Sequence, residues 1–327
     1  MNQQVENPAP FTACRLDGMG GGCSISREDA AWQASTENPL WIHMDVTVAD
    51  NAAWLMERSG LRPLVAETLI QAETRPRAVA HSDGLLVILR GVNLNPGADP
   101  EDMVSIRVWV EAGRVITTYR RNLLSIGDLY EQLDQGTGPK TPGRFLVMLA
   151  DRLMDRAGFV INELEDAISG FEEGVLVDGE ARTRSELSEL RRQTVVLRRF
   201  FGPQRDAMTR LLQEQSPLLD DRDRLHLREV ADQVMRYVED LDAARERAAV
   251  AHEELLSLMS EQMNQRMYVL SIVAAVFLPL GFFTGLFGIN VGGMPGVDSP
   301  LGFWLVTVMM VAIGIGVLML FKWRRWF

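Results

Sequence analysis

The sequence predicts an α+β soluble domain that feeds long helices and ends in a two-span α-helical membrane domain. Three observations carry this. Short aliphatic and β-branched runs bounded by turn residues fill the first third of the chain. Residues 218–278 contain neither proline nor glycine. Two uncharged apolar stretches, 267–287 and 301–321, close the chain, each long enough for a helix to cross the hydrocarbon core of a bilayer.

In chain order, residues 1–140 read as a mixed α/β domain. Strands are expected at 41–46, 84–90, 106–110 and 114–119, with a hairpin turn over Glu111-Ala112-Gly113-Arg114 between the last two. Helices are expected at 49–59, where Asp50 or Asn51 supplies a cap, and at 64–72. The run Asp17-Gly-Met-Gly-Gly-Gly-Cys23 lacks the Lys-Ser/Thr of a nucleotide-binding P-loop and reads as a turn. Gly136-Thr-Gly-Pro139 breaks the chain. An αα-hairpin follows over 141–215, helical from Pro142 to about Glu173 and again over 181–214, with a turn at 174–179 and a charged, solvated face. A stalk helix occupies 216–266. Along it Val230, Val234, Tyr237, Leu241, Ala244, Ala248, Ala251, Leu255 and Leu258 recur at 4-3 spacing, a heptad seam. A helix from Leu218 through the first span is on the order of 100 Å long at 1.5 Å per residue and needs partners to bury that seam. An intrachain coiled coil with the αα-hairpin is open, but continuity with a membrane span favours self-association around an axis.

Composition removes several function classes. The net charge is −11, and the tail's three basic residues set against Asp298 leave −13 for residues 1–266, so the soluble part is acidic and has no nucleic-acid footprint. Cys14 and Cys23, separated by eight residues, are expected to remain thiols, and the four histidines are scattered singly, so no closed metal site is expected. No nucleophile–base pair points to an enzyme. Residues 1–10 are polar, and no signal peptide is expected.

The membrane domain comprises the first span with its continuation, 267–290, a loop at 288–300, the second span, 301–321, and a basic tail, 322–327. Arg266 before the first span, and Lys322, Arg324 and Arg325 after the second, put both termini in the cytoplasm and the loop outside. Trp304, Trp323 and Trp326 fit interfacial belts. In the first span, Pro279 leaves the Ala275 carbonyl without its helical donor. Met267, Leu270, Ala274, Leu278, Gly281, Gly285 and Gly288 share one face. That face packs a neighbouring helix or lines an axial channel, and a symmetric oligomer turns each residue into a ring. The loop begins Gly288-Ile289-Asn290. Asn290 side chains and Gly288 carbonyls would offer neutral oxygen dipoles suited to a hydrated cation, apolar rings below would gate by dewetting, and Asp298 would add charge at the outer mouth. No Asp, Glu or His lies inside either span, so a side-chain proton relay there is not expected.

Residues 277–290, Phe-Leu-Pro-Leu-Gly-Phe-Phe-Thr-Gly-Leu-Phe-Gly-Ile-Asn, followed by Gly293-Met-Pro295, a second span and the tail Lys322-Trp-Arg-Arg-Trp-Phe327, resemble the CorA superfamily of divalent-cation transporters. Upstream, Glu73-Thr-Arg-Pro-Arg77, Gly136-Thr-Gly-Pro139 and Gly202-Pro-Gln-Arg-Asp206 look like its zinc-transporting ZntB branch. Two departures from the magnesium branch, Ile289 in the middle of the loop motif and Gly296-Val297 in place of Glu-Leu, point the same way. The resemblance implies a CorA-like funnel, a homopentamer in a bacterial inner membrane, and proton-coupled zinc uptake with no resident cofactor. The alternatives are a magnesium or cobalt channel of the same superfamily and a membrane-tethered coiled-coil scaffold.

Overall fold

In the computed structural model, residues 9–30, 35–174, 181–288 and 299–323 are described. The chain forms two compact units, Met1–His252 and Glu253–Phe327. The first is built on a seven-stranded mixed sheet. Its strands are β1 (Phe11–Leu16), β2 (Gly22–Ser24), β3 (Leu40–Asp45), β4 (Arg77–Ala80), β5 (Leu85–Gly91), β6 (Val104–Glu111) and β7 (Arg114–Tyr119), in the order β2-β1-β3-β7-β6-β5-β4. Only β3 and β7 pair parallel; every other neighbour is antiparallel. The helices are α1 (Arg27–Ala30), α2 (Ala49–Glu57), α3 (Pro63–Ile70), α4 (Leu124–Asp134), α5 (Pro142–Gly174), α6 (Ala181–Gln213), α7 (Asp221–Gly288) and α8 (Gly302–Trp323). The expected turn at 174–179 falls largely outside the described residues.

Alternation along the strands divides their side chains between two cores. Ile42, Leu86, Trp109 and Ile116 pack with α2 and α3, while Trp41, Val87, Val108 and Val115 pack with α4 to α7. Trp41 ties the second layer together. Its buried indole N–H donates to Thr117 Oγ1 at 2.9 Å, and its ring stacks on Tyr130 of α4 at 4.3 Å and meets Phe145 of α5 at 4.8 Å. The four expected strands are present. Strands β1, β2 and β4 and helices α1 and α4 were not expected; of these, three- or four-residue elements such as Gly22–Ser24 and Arg77–Ala80 carry no readable period.

Two expectations are corrected. The N-cap of α2 is Val48, with no side-chain cap; Asn51 lies inside the helix, and its buried amide donates to Pro10 O (2.8 Å) and Asp45 O (2.9 Å). The heptad seam, expected to favour self-association, is consumed within the chain. Val230, Val234, Leu241, Ala244, Ala248 and Ala251 are buried in one core with Leu153, Ala157 and Ile161 of α5 and Leu197 and Phe201 of α6. Both hairpin helices bring apolar stripes of matching period, so they satisfy the seam before a second chain can.

The Gly-rich run is a turn stabilised by its own carboxylate. Asp17 Oδ1 accepts from the backbone N–H of Met19 (2.7 Å), Gly20 (2.9 Å) and Gly21 (2.9 Å), and these bonds hold its pKa below the usual carboxylate value. The amides that a phosphate would need are already occupied. Cys14 is buried and Cys23 exposed, both free thiols.

The 202–206 motif also has a structural use. Strand β4 ends its pairing at Arg77↔Ile88, leaving the edge of β5 open at Arg90. The buried Gln204 amide fills that edge: its Oε1 accepts from Arg90 N (2.7 Å) and its Nε2 donates to Arg90 O (3.1 Å). A side chain thereby supplies the pair of bonds that a strand would make.

Two predictions follow from packing and burial. A Cβ at Gly143, at the start of α5, would stand 1.9 Å from the Leu218 carbonyl oxygen, whereas one at Gly127 in α4 meets nothing within 4 Å. Gly143→Ala is expected to destabilise by about 1–3 kcal/mol. Gly127→Ala is expected to stabilise by up to about 1 kcal/mol through helix propensity. Thermal denaturation of the two variants checks the contrast.

His43 is fully buried, shares Thr117 Oγ1 through Nδ1 at 2.8 Å and stacks on Tyr119 at 4.5 Å. Burial pushes its pKa from 6.5 down to about 3. The unfolded chain therefore binds this proton at a higher pH than the folded one, and the stabilisation present above pH 6.5 is lost as pH falls toward 3. Between pH 7 and 5 the wild type should lose about 2 kcal/mol more than His43→Gln. The half-buried carboxyls of Asp155 and Glu165 and the buried carboxyl of Asp223, whose raised pKa values act in the opposite sense, are common to both proteins. Parallel pH–stability curves for the two would contradict this.

Candidate functional site

The second unit holds the last part of α7 and the whole of α8. Both helices are long and apolar enough to cross a membrane, judged by length and composition. Three hydroxyls on them are satisfied within their own helix, as hydrocarbon surroundings favour. Ser271 Oγ donates to Met267 O (2.8 Å), Thr284 Oγ1 to Leu280 O (2.9 Å) and Thr307 Oγ1 to Phe303 O (2.9 Å), each one helical turn back. Helix α7 continues through Pro279 to Gly288. Trp304 and Trp323 stand exposed near opposite ends of α8, with Lys322 in its last turn.

The half-covered side of α7 in this unit carries Ile272, Ala275, Val276, Pro279, Leu280 and Phe283. Around it, Leu280, Thr284 and Phe287 line a cavity of about 530 Å³ with Phe303, Thr307 and Met310 of α8. This is the side that α8 takes. The sequence reading missed Thr284 and Thr307 here; one threonine on each span, each hydroxyl returned to its own helix, was the available signal.

The expected pore face lies elsewhere. At 3.6 residues per turn, Met267, Leu270, Ala274, Leu278, Gly281 and Gly285 centre on nearly the opposite side of the helix from α8. Met267 is 61% exposed, Leu270 69% and Leu278 72%. A Cβ built on Gly281, Gly285 or Gly288 would meet nothing within 4 Å. Close packing among the described residues of the chain therefore does not explain these glycines. Exposed Phe277 and Phe282 flank the face on either side.

Of the other expected site residues, Gly288 is the last described residue of α7. Ile289, Asn290, Asp298, Arg324 and Arg325 lie outside the described residues. Among the described residues there is no group of three or more His, Cys, Asp or Glu side chains that could hold a metal ion. Of the histidines, His226 Nε2 lies 3.4 Å from Asp151 Oδ1, and His81 packs its ring on Trp109 at 5.6 Å.

A sheet-based domain, long helices and a closing pair of apolar spans with a glycine face define a membrane protein of the two-span transporter class. The chain matches the family described as CorA-like Mg2+ transporter protein over residues 36–324 and belongs to that family. It is 37% identical over 324 residues to the zinc transport protein ZntB of Pectobacterium carotovorum subsp. carotovorum (strain PC1), covering 99% of this chain and 98% of the relative. It is 40% identical over 314 residues to the divalent cation transporter CmaX of Pseudomonas aeruginosa, covering 95% of each chain. The solved structure of a full-length CmaX protein superposes with a TM-score of 0.83 at 38% identity, covering 98% of this chain and 100% of that one.

Proposed function

We propose that this protein carries divalent cations, zinc foremost, across a bacterial inner membrane through the axis of a homo-oligomer. The observation that supports this best is the α7 face of Met267, Leu270, Ala274, Leu278, Gly281 and Gly285. It carries no charge, no neighbour among the described residues covers its glycines, and it leads to Gly288-Ile289-Asn290. The names of the ZntB and CmaX relatives support the choice of cargo. In this reading five copies surround the axis, both termini face the cytoplasm, and the chain acts as a transporter with no enzymatic step and no resident cofactor.

The mechanism follows from the residue types. A dication crossing bare hydrocarbon pays a large desolvation cost, so it keeps water and exchanges part of its shell for neutral oxygens at Asn290 and Gly288. Rings of Leu278, Leu270 and Met267 close the path when they dewet and open it when they part. Asp298 concentrates cations outside. Lys322, Arg324 and Arg325 form a basic ring at the cytoplasmic end of the second spans. Both spans lack Asp, Glu and His, so coupled protons travel with the hydrated metal or through titratable groups outside the membrane.

Two variants test the reading in proteoliposomes loaded with a zinc-sensitive dye. Asn290→Ala should lower zinc flux at least tenfold, a barrier change of about 1.4 kcal/mol, with the oligomer intact by light scattering. Gly285→Leu has room within its own chain, so the protein should still insert, but five added side chains at the axis should stop flux or prevent assembly. Full zinc flux in both variants would contradict the pore. Competition by magnesium or cobalt at equal concentration separates zinc preference from a magnesium or cobalt channel.

A further inference from the structure

The two spans enclose a groove that ends halfway along them. On α7 it runs from Leu280 to Gly288, and on α8 from Phe303 to Gly314. At 1.5 Å per residue those segments are about 12 Å and about 16 Å long. Phe303 and Trp304 stand at its mouth, 73% and 64% exposed, with their rings edge to face at 5.8 Å. A tryptophan at the end of a span settles at the level of the lipid headgroups. From Trp304 the groove reaches a depth of about 15 Å at Gly314, which is half of the roughly 30 Å hydrocarbon core and therefore one leaflet.

Its walls have the chemistry of an alkyl site. Among its lining residues the polar side chains are Thr284 and Thr307, and both hydroxyls are returned to their own helices. Thr284 Oγ1 lies 2.9 Å from Leu280 O and 3.0 Å from Gly281 O, and Thr307 Oγ1 lies 2.9 Å from Phe303 O. A buried water needs several polar partners, so these walls do not hold a chain of water. At the inner end Gly314 withholds a side chain, and a Cβ there would meet nothing within 4 Å. The enclosed space of about 530 Å³ is that of a ligand pocket.

The groove also lies on the outer side of the helix pair. Leu280 and Phe287 point about a third of a turn or more away from the centre of the glycine face. An axis lined by that face leaves the groove turned toward the bilayer. A helix from a second copy would need a furrow along the whole span, whereas this one stops at mid-depth. Left unfilled, the walls would lose their dispersion contacts on one side. The flexible apolar filler at this depth is a lipid tail.

We propose that the groove holds one acyl chain of a phospholipid from the outward-facing leaflet, with the headgroup beside Phe303 and Trp304. The chain wedges α8 against α7 on the side away from the glycine face. The inference takes from the proposed function the orientation of the spans and the side that faces the axis, and it holds for any cargo.

The test reconstitutes the full-length protein into liposomes containing phosphatidylethanolamine with a photoactivatable diazirine on one acyl chain, and maps the adducts by mass spectrometry. Labelling at Thr284, Phe287 and Met310 should saturate as the probe fraction rises, as for a bound ligand. Leu305 and Val308, exposed on α8 outside the groove, should be labelled in simple proportion to the probe, as for bulk lipid. Gly314→Leu fills the inner end and should reduce groove labelling roughly tenfold while leaving Leu305 and Val308 unchanged. Thr307→Leu repeats the comparison if Gly314→Leu does not insert. Groove labelling that never saturates, groove labelling undiminished in the inserted variants, or cross-links from Thr284 to a second copy in place of lipid adducts would each overturn the assignment. Zinc flux is read in the same liposomes. Flux without saturable groove labelling overturns the lipid site and leaves the transport reading standing, whereas saturable labelling without flux does the reverse.

Discussion

The structure depends on one helix meeting two opposite demands. Helix α7 begins as the third member of a buried helical layer and ends as an uncharged span. In its first part every seam residue from Val230 to Ala251 is covered by α5 and α6, so the apolar surface is spent within one chain. In its last part α8 takes one side, and the opposite side carries exposed Leu270 and Leu278 with glycines that meet no other described residue. Hydrocarbon does not penalise that exposure as water would. Among the described residues these glycines have no packing partner, which is why the proposed function places them at an axis between copies of the chain.

Around the sheet, specific contacts fasten the helices α5 and α6 against which the first part of α7 packs. Trp41 joins the sheet to α4 and α5 through one hydrogen bond and two ring contacts. Arg156 of α5 grips Asp128 of α4 with paired bonds of 2.7 and 2.6 Å, and Gln204 fastens α6 to the open edge of β5. These are buried or half-buried contacts between different elements, in which a lost partner leaves an unsatisfied group. Exposed ion pairs such as Arg62–Asp83 contribute little by comparison.

Much of this was legible in the sequence, for identifiable reasons. Long elements read well: α5 and α6 carry many turns of a 3.6-residue pattern and α8 is an unbroken apolar run, and their ends lie within one or two residues of those expected. Short edge strands did not, since Gly22–Ser24 and Arg77–Ala80 are defined by their neighbours rather than by their own pattern. The heptad seam was visible, but its partner was not. A 4-3 period states that a face is buried and is silent about whether the cover comes from the same chain. The same limit applied to the motifs: Glu73–Arg77 and Gly202–Asp206 stood out as strings, while the carbonyls and edge bonds that Arg90, Arg107 and Gln204 serve exist only once distant strands are paired. In the candidate pore the glycine face was legible as periodicity, and the side claimed by α8 was not.

The most direct measurement is the chemical accessibility of that face. In a background with Cys14 and Cys23 replaced by serine, single cysteines at Ala274, Gly281, Val269 and Phe282 are exposed to a charged, membrane-impermeant thiol reagent in liposomes. A water-filled axis lined by this face predicts modification at Ala274→Cys and Gly281→Cys, slowed by zinc, with Val269→Cys and Phe282→Cys protected by lipid or protein. Modification confined to Val269→Cys or Phe282→Cys, or unaffected by zinc at all four positions, would contradict a conducting path along the glycine face of α7.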